Sequence, residues 1–277
     1  MACRDILCVF ESADGALTPA FHQALALANA GRAHLTVVSA ARKVTPPGAS
    51  IGGSLVSGAV ATANAALREN AEAAANAARE AIRASGVIHE IVVREGMLAD
   101  IAEWAGQRAR VTDLTVLDQT SGALQLQETL FEQALFSSGR PALIASPGKI
   151  SERVERLCVA WNGTQVAARA LGDALGLFPE VKKVDILCIL SKKNAARRVP
   201  GVDAAQHVAR YGIDANVVDL PLADGSVAST IDGYARTSGA DITVMGGFGH
   251  SRLREFILGG VTRELSAKTS VPLLLSH

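Results

Sequence analysis

One pattern of apolar runs is written twice along this chain. Ile6-Leu7-Cys8-Val9-Phe10 matches Leu157-Cys158-Val159-Ala160-Trp161, and each run follows charged residues and precedes a polar turn. The turns, Glu11–Gly15 and Asn162-Gly163-Thr164, lead into alanine- and leucine-rich segments, Pro19–Ala30 and Gln165–Leu177. Second apolar runs follow at His34–Ser39 and Val184–Leu190. Asp113–Leu117 then mirrors Asp241–Met245, and Pro141–Ala145 mirrors Pro272–Leu275. Four matches in one order predict two copies of a single unit.

The runs are short and continuously apolar, which is the pattern of strands buried on both faces of a parallel sheet. With helical segments between them, each copy reads β-α-β-α-β-α-β-α-β. The predicted fold class is α/β, with two doubly wound parallel sheets in tandem. Ser146-Pro147-Gly148-Lys149 breaks the pattern, so the expected domains are 1–148 and 149–277. The copies differ in one helix. Ser54–Ala84 is long, with Val60, Leu67, Ala71, Ala74, Ala78 and Ile82 on one stripe. Its counterpart, Val202–Tyr211, is short.

Composition excludes several functions. The formal net charge of zero offers no general attraction to nucleic acid or anionic membrane. Aromatics at 4% are too few for a single-strand stacking platform. The N-terminal segment lacks a signal-peptide pattern, and no run reaches the roughly 18 apolar residues of a membrane helix. The expected location is cytoplasmic. Cys3, Cys8, Cys158 and Cys188 form no C-x-x-C pair, and reduced core thiols are expected.

Function concentrates after the fourth strand of the second copy, in Met245-Gly246-Gly247-Phe248-Gly249 and Leu258-Gly259-Gly260-Val261. Ligands of doubly wound sheets sit at the carboxyl ends of strands, where Gly246 falls. Leu253, Phe256 and Ile257 repeat as one face of a short helix, with Arg252 and Arg254 on the wet side. Gly259 and Gly260 then open a helix over about Val261–Lys268, whose free amides attract anions. Two readings stand: a nest of amides for a polyphosphate, or a glycine C-cap followed by an ordinary turn. The stretch is neither a P-loop nor a complete G-x-G-x-x-G.

The spacing Gly246-x2-Gly249-x9-Gly259 resembles the hallmark of the universal stress proteins. So do the methionine before it, the closing Pro-Leu-Leu-Leu strand, and Val159–Thr164 with Ala167–Ala170. The resemblance covers the whole chain, strongly in the second copy and weakly in the first. It implies flavodoxin-like sheets of the adenine nucleotide alpha hydrolase type, and binding of ATP, ADP or AMP, with Mg as an accompanying ion. By position, Asn162 would lie near the adenine. Ile189 would offer main-chain contacts, and Met245 would border the base or ribose. Gly246, Gly249, Gly259, Gly260 and Val261 would surround ribose and phosphates.

Two residues depart from the family pattern. Asn162 replaces an aspartate; it both donates and accepts, and it reads equally well as a turn or cap residue. Gly260 replaces Ser or Thr, removing a donor of about 0.5–1.5 kcal/mol, for which Thr262 is a partial substitute. The first copy has Asp118-Gln119-Thr120-Ser121 in place of the glycines, so no nucleotide is expected there. It is expected instead to form a pseudo-dimer with the second copy, the last strands meeting edge to edge. A homodimer of the whole chain and an unidentified protein partner stay open. No convincing catalytic set emerges; His250 is the one histidine within the candidate site. The leading expectation is a nucleotide-binding stress-response regulator. The alternatives are a nucleotide-free interaction scaffold and, last, a slow ATP hydrolase.

Overall fold

A computed structural model of the chain describes residues 2–45, 53–120, 125–190, 201–222, 225–247 and 260–277. The strands are β1 Asp5–Phe10, β2 His34–Arg42, β3 His89–Gly96, β4 Leu114–Leu117, β5 Ala142–Ile144, β6 Arg156–Ala160, β7 Lys183–Leu190, β8 Asp214–Pro221, β9 Ile242–Gly246 and β10 Leu273–Ser276. The helices are α1 Pro19–Gly31, α2 Gly53–Arg83, α3 Leu98–Ala109, α4 Gln125–Glu132, α5 Gln165–Leu177, α6 Gly201–Ala209, α7 Val227–Ser238 and α8 Gly260–Ala267. A single π turn, Gln133–Ser137, continues α4.

All ten strands join one sheet in the order β3-β2-β1-β4-β5-β10-β9-β6-β7-β8. Read from β5 and from β10, the same order runs outward in both directions. Every pairing is parallel except β5 with β10, where Leu273 lies opposite Ile144 and Leu275 opposite Ala142. The edge-to-edge meeting of the last strands is therefore antiparallel.

The continuous apolar runs are buried on both faces, as the sequence implies. Ile6, Leu7, Cys8, Val9 and Phe10 have no exposed surface. One face carries Phe21, Ile82, Leu171 and Val208, from α1, α2, α5 and α6. The other carries Ile101, Leu126, Ile231 and Leu265, from α3, α4, α7 and α8. The α2 stripe behaves as predicted from Ala71 onward, since Ala71, Ala74, Ala78 and Ile82 are buried, while Val60 and Leu67 are half-buried.

The repeat extends to single hydrogen bonds. Asp113, just before β4, accepts from the amides of Arg4 and Asp5 at 2.8 and 3.2 Å. Asp241, just before β9, accepts from Glu155 and Arg156, both at 2.9 Å. In each half one carboxylate satisfies two amides where the first strand begins. The link between halves is held as well. Gln23 of α1 exchanges two 3.0 Å bonds with the main chain of Ser151. Lys149 donates to the carbonyl of Ala240 at 2.5 Å, beyond the end of α7, and lies 3.3 Å from Asp241.

Candidate functional site

In the second half the strand order reverses at β6, which has β7 on one side and β9 on the other. A crevice at their carboxyl ends is the general ligand position of such sheets. The chain leaves β6 through Asn162-Gly163-Thr164, a tight turn in which Gly163 takes φ 70°. Thr164 caps α5, its hydroxyl accepting from the Ala167 amide at 3.4 Å. Asn162 Oδ1 in turn accepts from the Thr164 hydroxyl at 2.7 Å and from its amide at 3.2 Å. The turn reading of Asn162 is thus realised for its oxygen, and among the described residues its amide hydrogens have no partner.

Ile189 lies near the end of β7. Leu187 accepts from Trp161 at 2.9 Å, and Ala160 is the last residue of β6 in register. Peptide groups alternate sides along a strand. Those of Ile189, two residues after Leu187, therefore point to the same side, beyond the end of β6. The side chain of Met245 is 7% exposed and belongs to the core, against which Ile189 and Val261 pack.

Gly246 ends β9 in strand conformation, without positive φ. A Cβ there would lie 2.5 Å from the Ala167 nitrogen and 2.6 Å from the Val166 carbonyl carbon. The space opened by the missing side chain is filled by the first turn of α5. This glycine is required by packing between strand and helix. Gly247, which sequence reasoning passed over, is also confined: its Cβ would meet Leu135 Cδ2 at 2.9 Å. The signal available was its place in a glycine pair directly after an apolar strand.

Gly260 begins α8 and is exposed, and no described atom lies within 4 Å of the position of a Cβ. Val261 is half-buried. Thr262 is 4% exposed and packs inward with Leu265 and Ser266. Gly249, Gly259, His250 and the expected helix around Leu253–Ile257 lie outside the described residues. The structure thus brings Asn162, Ile189 and Gly246 to one end of three neighbouring strands.

The same end of the first half is occupied by acids. Asp118, just after β4, stands at the position that matches Gly246 at the end of β9. Thr18 gives α1 no side-chain cap, and Asp118 supplies one from across the fold, accepting from the Ala20 amide at 2.9 Å. Burial raises its pKa, opposed by that hydrogen bond. Glu11, just after β1, is 4% exposed, and neither carboxylate oxygen has a hydrogen-bond partner in good geometry among the described residues. Burial raises its pKa too, opposed by Arg42, whose Nε lies 3.6 Å away. Overhead, α2 pins the β1–α1 turn: Asn70 donates to the Ala13 carbonyl at 2.6 Å, and Ala73 meets Gly15. Two acids at this end oppose phosphate electrostatically.

Among the described residues no group of His, Cys, Asp and Glu is arranged to hold a metal, and no helix is long and apolar enough to cross a membrane. All four cysteines are free and buried.

The family model of the universal stress protein family matches residues 154–277. The match spans most of the second half, β6 to β10 included. Solved structures extend the likeness in fold to the whole chain. A universal stress protein from Archaeoglobus fulgidus superposes with a TM-score of 0.68 at 16% identity, covering 99% of this chain and 96% of its own. Two Pseudomonas aeruginosa structures, one of them assigned to the universal stress proteins, give 0.59 and 0.58, each at 16% identity. They cover 99% of this chain and 93% and 92% of their own. At this identity the shared property is the fold, including the half that the family model leaves unmatched. No curated protein matches the sequence.

Proposed function

We propose that this chain is a tandem universal stress protein, a cytoplasmic regulatory module that binds ATP or another adenine nucleotide in its second half, residues 149–277. The first half, residues 1–148, acts as its pseudo-dimer partner. The observation that carries this reading is the reversal of strand order at β6, which brings the carboxyl ends of β6, β7 and β9 together. At these ends lie Asn162, whose amide hydrogens have no partner among the described residues, the outward peptide groups of Ile189, and Gly246. In this reading Asn162 donates to an acceptor on the adenine edge, because its own oxygen is engaged by Thr164. The phosphates lie against the main chain of Gly246, Gly249, Gly259 and Gly260 and the first turn of α8. Val261 and Met245 support that turn from the core. Mg, where present, accompanies the phosphates. Binding stabilises one conformation or association state of the chain.

Calorimetric titration of the purified chain with ATP, ADP and AMP at up to millimolar concentration tests this. A saturable heat with one site per chain is expected. No heat and no rise in melting temperature with any of the three would refute it. The second reading, a nucleotide-free scaffold, is favoured by one observation: Gly260 brings no hydroxyl to the site. Mass spectrometry of small molecules carried through purification separates the two, since only the first expects an adenylate.

A further inference from the structure

We propose that the first half is a working part of the second half's site: its π turn holds the root of the glycine turn, with Leu135 as the positioning residue. This rests on the nucleotide-binding reading above. Gly247 is the last described residue before the glycine turn. Its amide donates to the Ser276 carbonyl at 2.8 Å, and its own carbonyl accepts from His277 Nδ1 at 3.1 Å. Its open side faces Leu135, which is 2% exposed. Next along the π turn, Phe136 meets the His277 ring edge to face, with centroids 4.9 Å apart. Two residues beyond the turn, the Gly139 carbonyl accepts from Arg169 Nη2 of α5 at 2.7 Å. One segment of the first half, 135–139, thus holds both the chain leaving β9 and the helix that follows β6. Both flank the carboxyl end of β6.

The π turn is itself braced. Ser138 donates from its hydroxyl to the Ala134 carbonyl, and Arg110 Nε donates to the Ser137 carbonyl at 3.0 Å. Single π turns recur at functional sites, where the wider turn re-aims side chains. The relation also runs the other way. Thr120, after β4, donates to the Ser266 carbonyl at 2.9 Å, and Gln119 donates to Thr269 at 2.8 Å. Each half holds the turn after the other's fourth strand. Only in the second half does that turn lead into the glycines. Holding the end of β9 and the start of α5 in place beforehand spares binding the cost of ordering them.

The test is a size swap in the full chain, comparing wild type, Leu135→Ala, Gly247→Ala and the double variant. ATP affinity is measured by calorimetry, with melting temperature without nucleotide alongside. Each single variant is expected to weaken ATP binding at least fivefold, Leu135→Ala by removing the support and Gly247→Ala by pushing the root off it. The double variant is expected to return to within twofold of wild type, because the new methyl fills the vacated space. Leu135→Val supplies the same comparison if the alanine variant does not fold. Single variants that melt lower but bind ATP as wild type does would overturn the positioning role alone. A wild type that binds no nucleotide would overturn both this role and the reading it rests on.

Discussion

Gly246→Ala separates packing from ligand contact as the reason for this glycine. The added methyl would stand 2.5 Å from the Ala167 nitrogen, against an ordinary contact of at least 3.4 Å, a deficit of about 0.9 Å. Its neighbours at 2.5 and 2.6 Å are main-chain atoms, so no rotamer change relieves the clash. The first turn of α5 must move away from β9. Overpacking of this kind costs about 1–3 kcal/mol, and disturbing the Thr164 cap on the same amide adds about 1 kcal/mol. The sum is about 2–4 kcal/mol. At roughly 2–4 °C per kcal/mol for a domain of this size, melting should fall by roughly 4–16 °C. The assay is thermal unfolding by circular dichroism without nucleotide. Gly172→Ala serves as control: it is an exposed glycine of the same helix with open space around it, expected to stabilise by about 0.5–1 kcal/mol. A Gly246→Ala protein that melts within 1 °C of wild type would refute the contact between strand end and helix start.

Three further outcomes follow from the same geometry. Gly260→Ser adds a hydroxyl where no described atom obstructs it, and calorimetry should show ATP binding about two- to twelvefold tighter, one hydrogen bond's worth. Arg156→Ala takes the 2.6 Å ion pair from Asp185, 2% exposed, and leaves this buried carboxylate to Asn216 at 3.3 Å and to Tyr234. Urea unfolding should show a loss of about 2–3 kcal/mol, below the full cost of breaking a buried pair because the guanidinium is partly exposed. Glu11→Gln should stabilise the chain at pH 7. Burial holds the folded pKa of Glu11 above its unfolded value, so its ionisation destabilises the fold as pH rises through the folded pKa. The difference between Glu11→Gln and wild type in urea should therefore shrink as pH falls from 7 through the folded pKa towards the ordinary carboxylate range at about 4, and a constant difference over that whole range would contradict this.

Much of the fold is legible in the sequence because it rests on local periodicity. The predicted helix Gln165–Leu177 is the observed α5, and Ile6–Phe10 and Val184–Leu190 fall within β1 and β7. Boundaries drifted where polar residues end a strand: β2 runs on to Arg42 because Ala40 and Ala41 stay buried beneath the helices. The candidate site was legible in part. The glycines mark the end of β9 in the sequence, but Gly247 was missed, since a glycine pair carries no sign of which side chain will face it.

Taken alone, the sequence determined that two parallel α/β units follow one another. It determined too that one ends its fourth strand in glycines and the other in Asp118, because apolar period and residue chemistry are local properties. Only the tertiary structure decided what those residues face. Gly246 meets the first turn of α5, Asp118 caps α1, and Leu135 fills the space beside Gly247. These contacts join positions far apart in the chain. They exist because burial in a close-packed interior forces main chain and side chains together at spacings that no local pattern records.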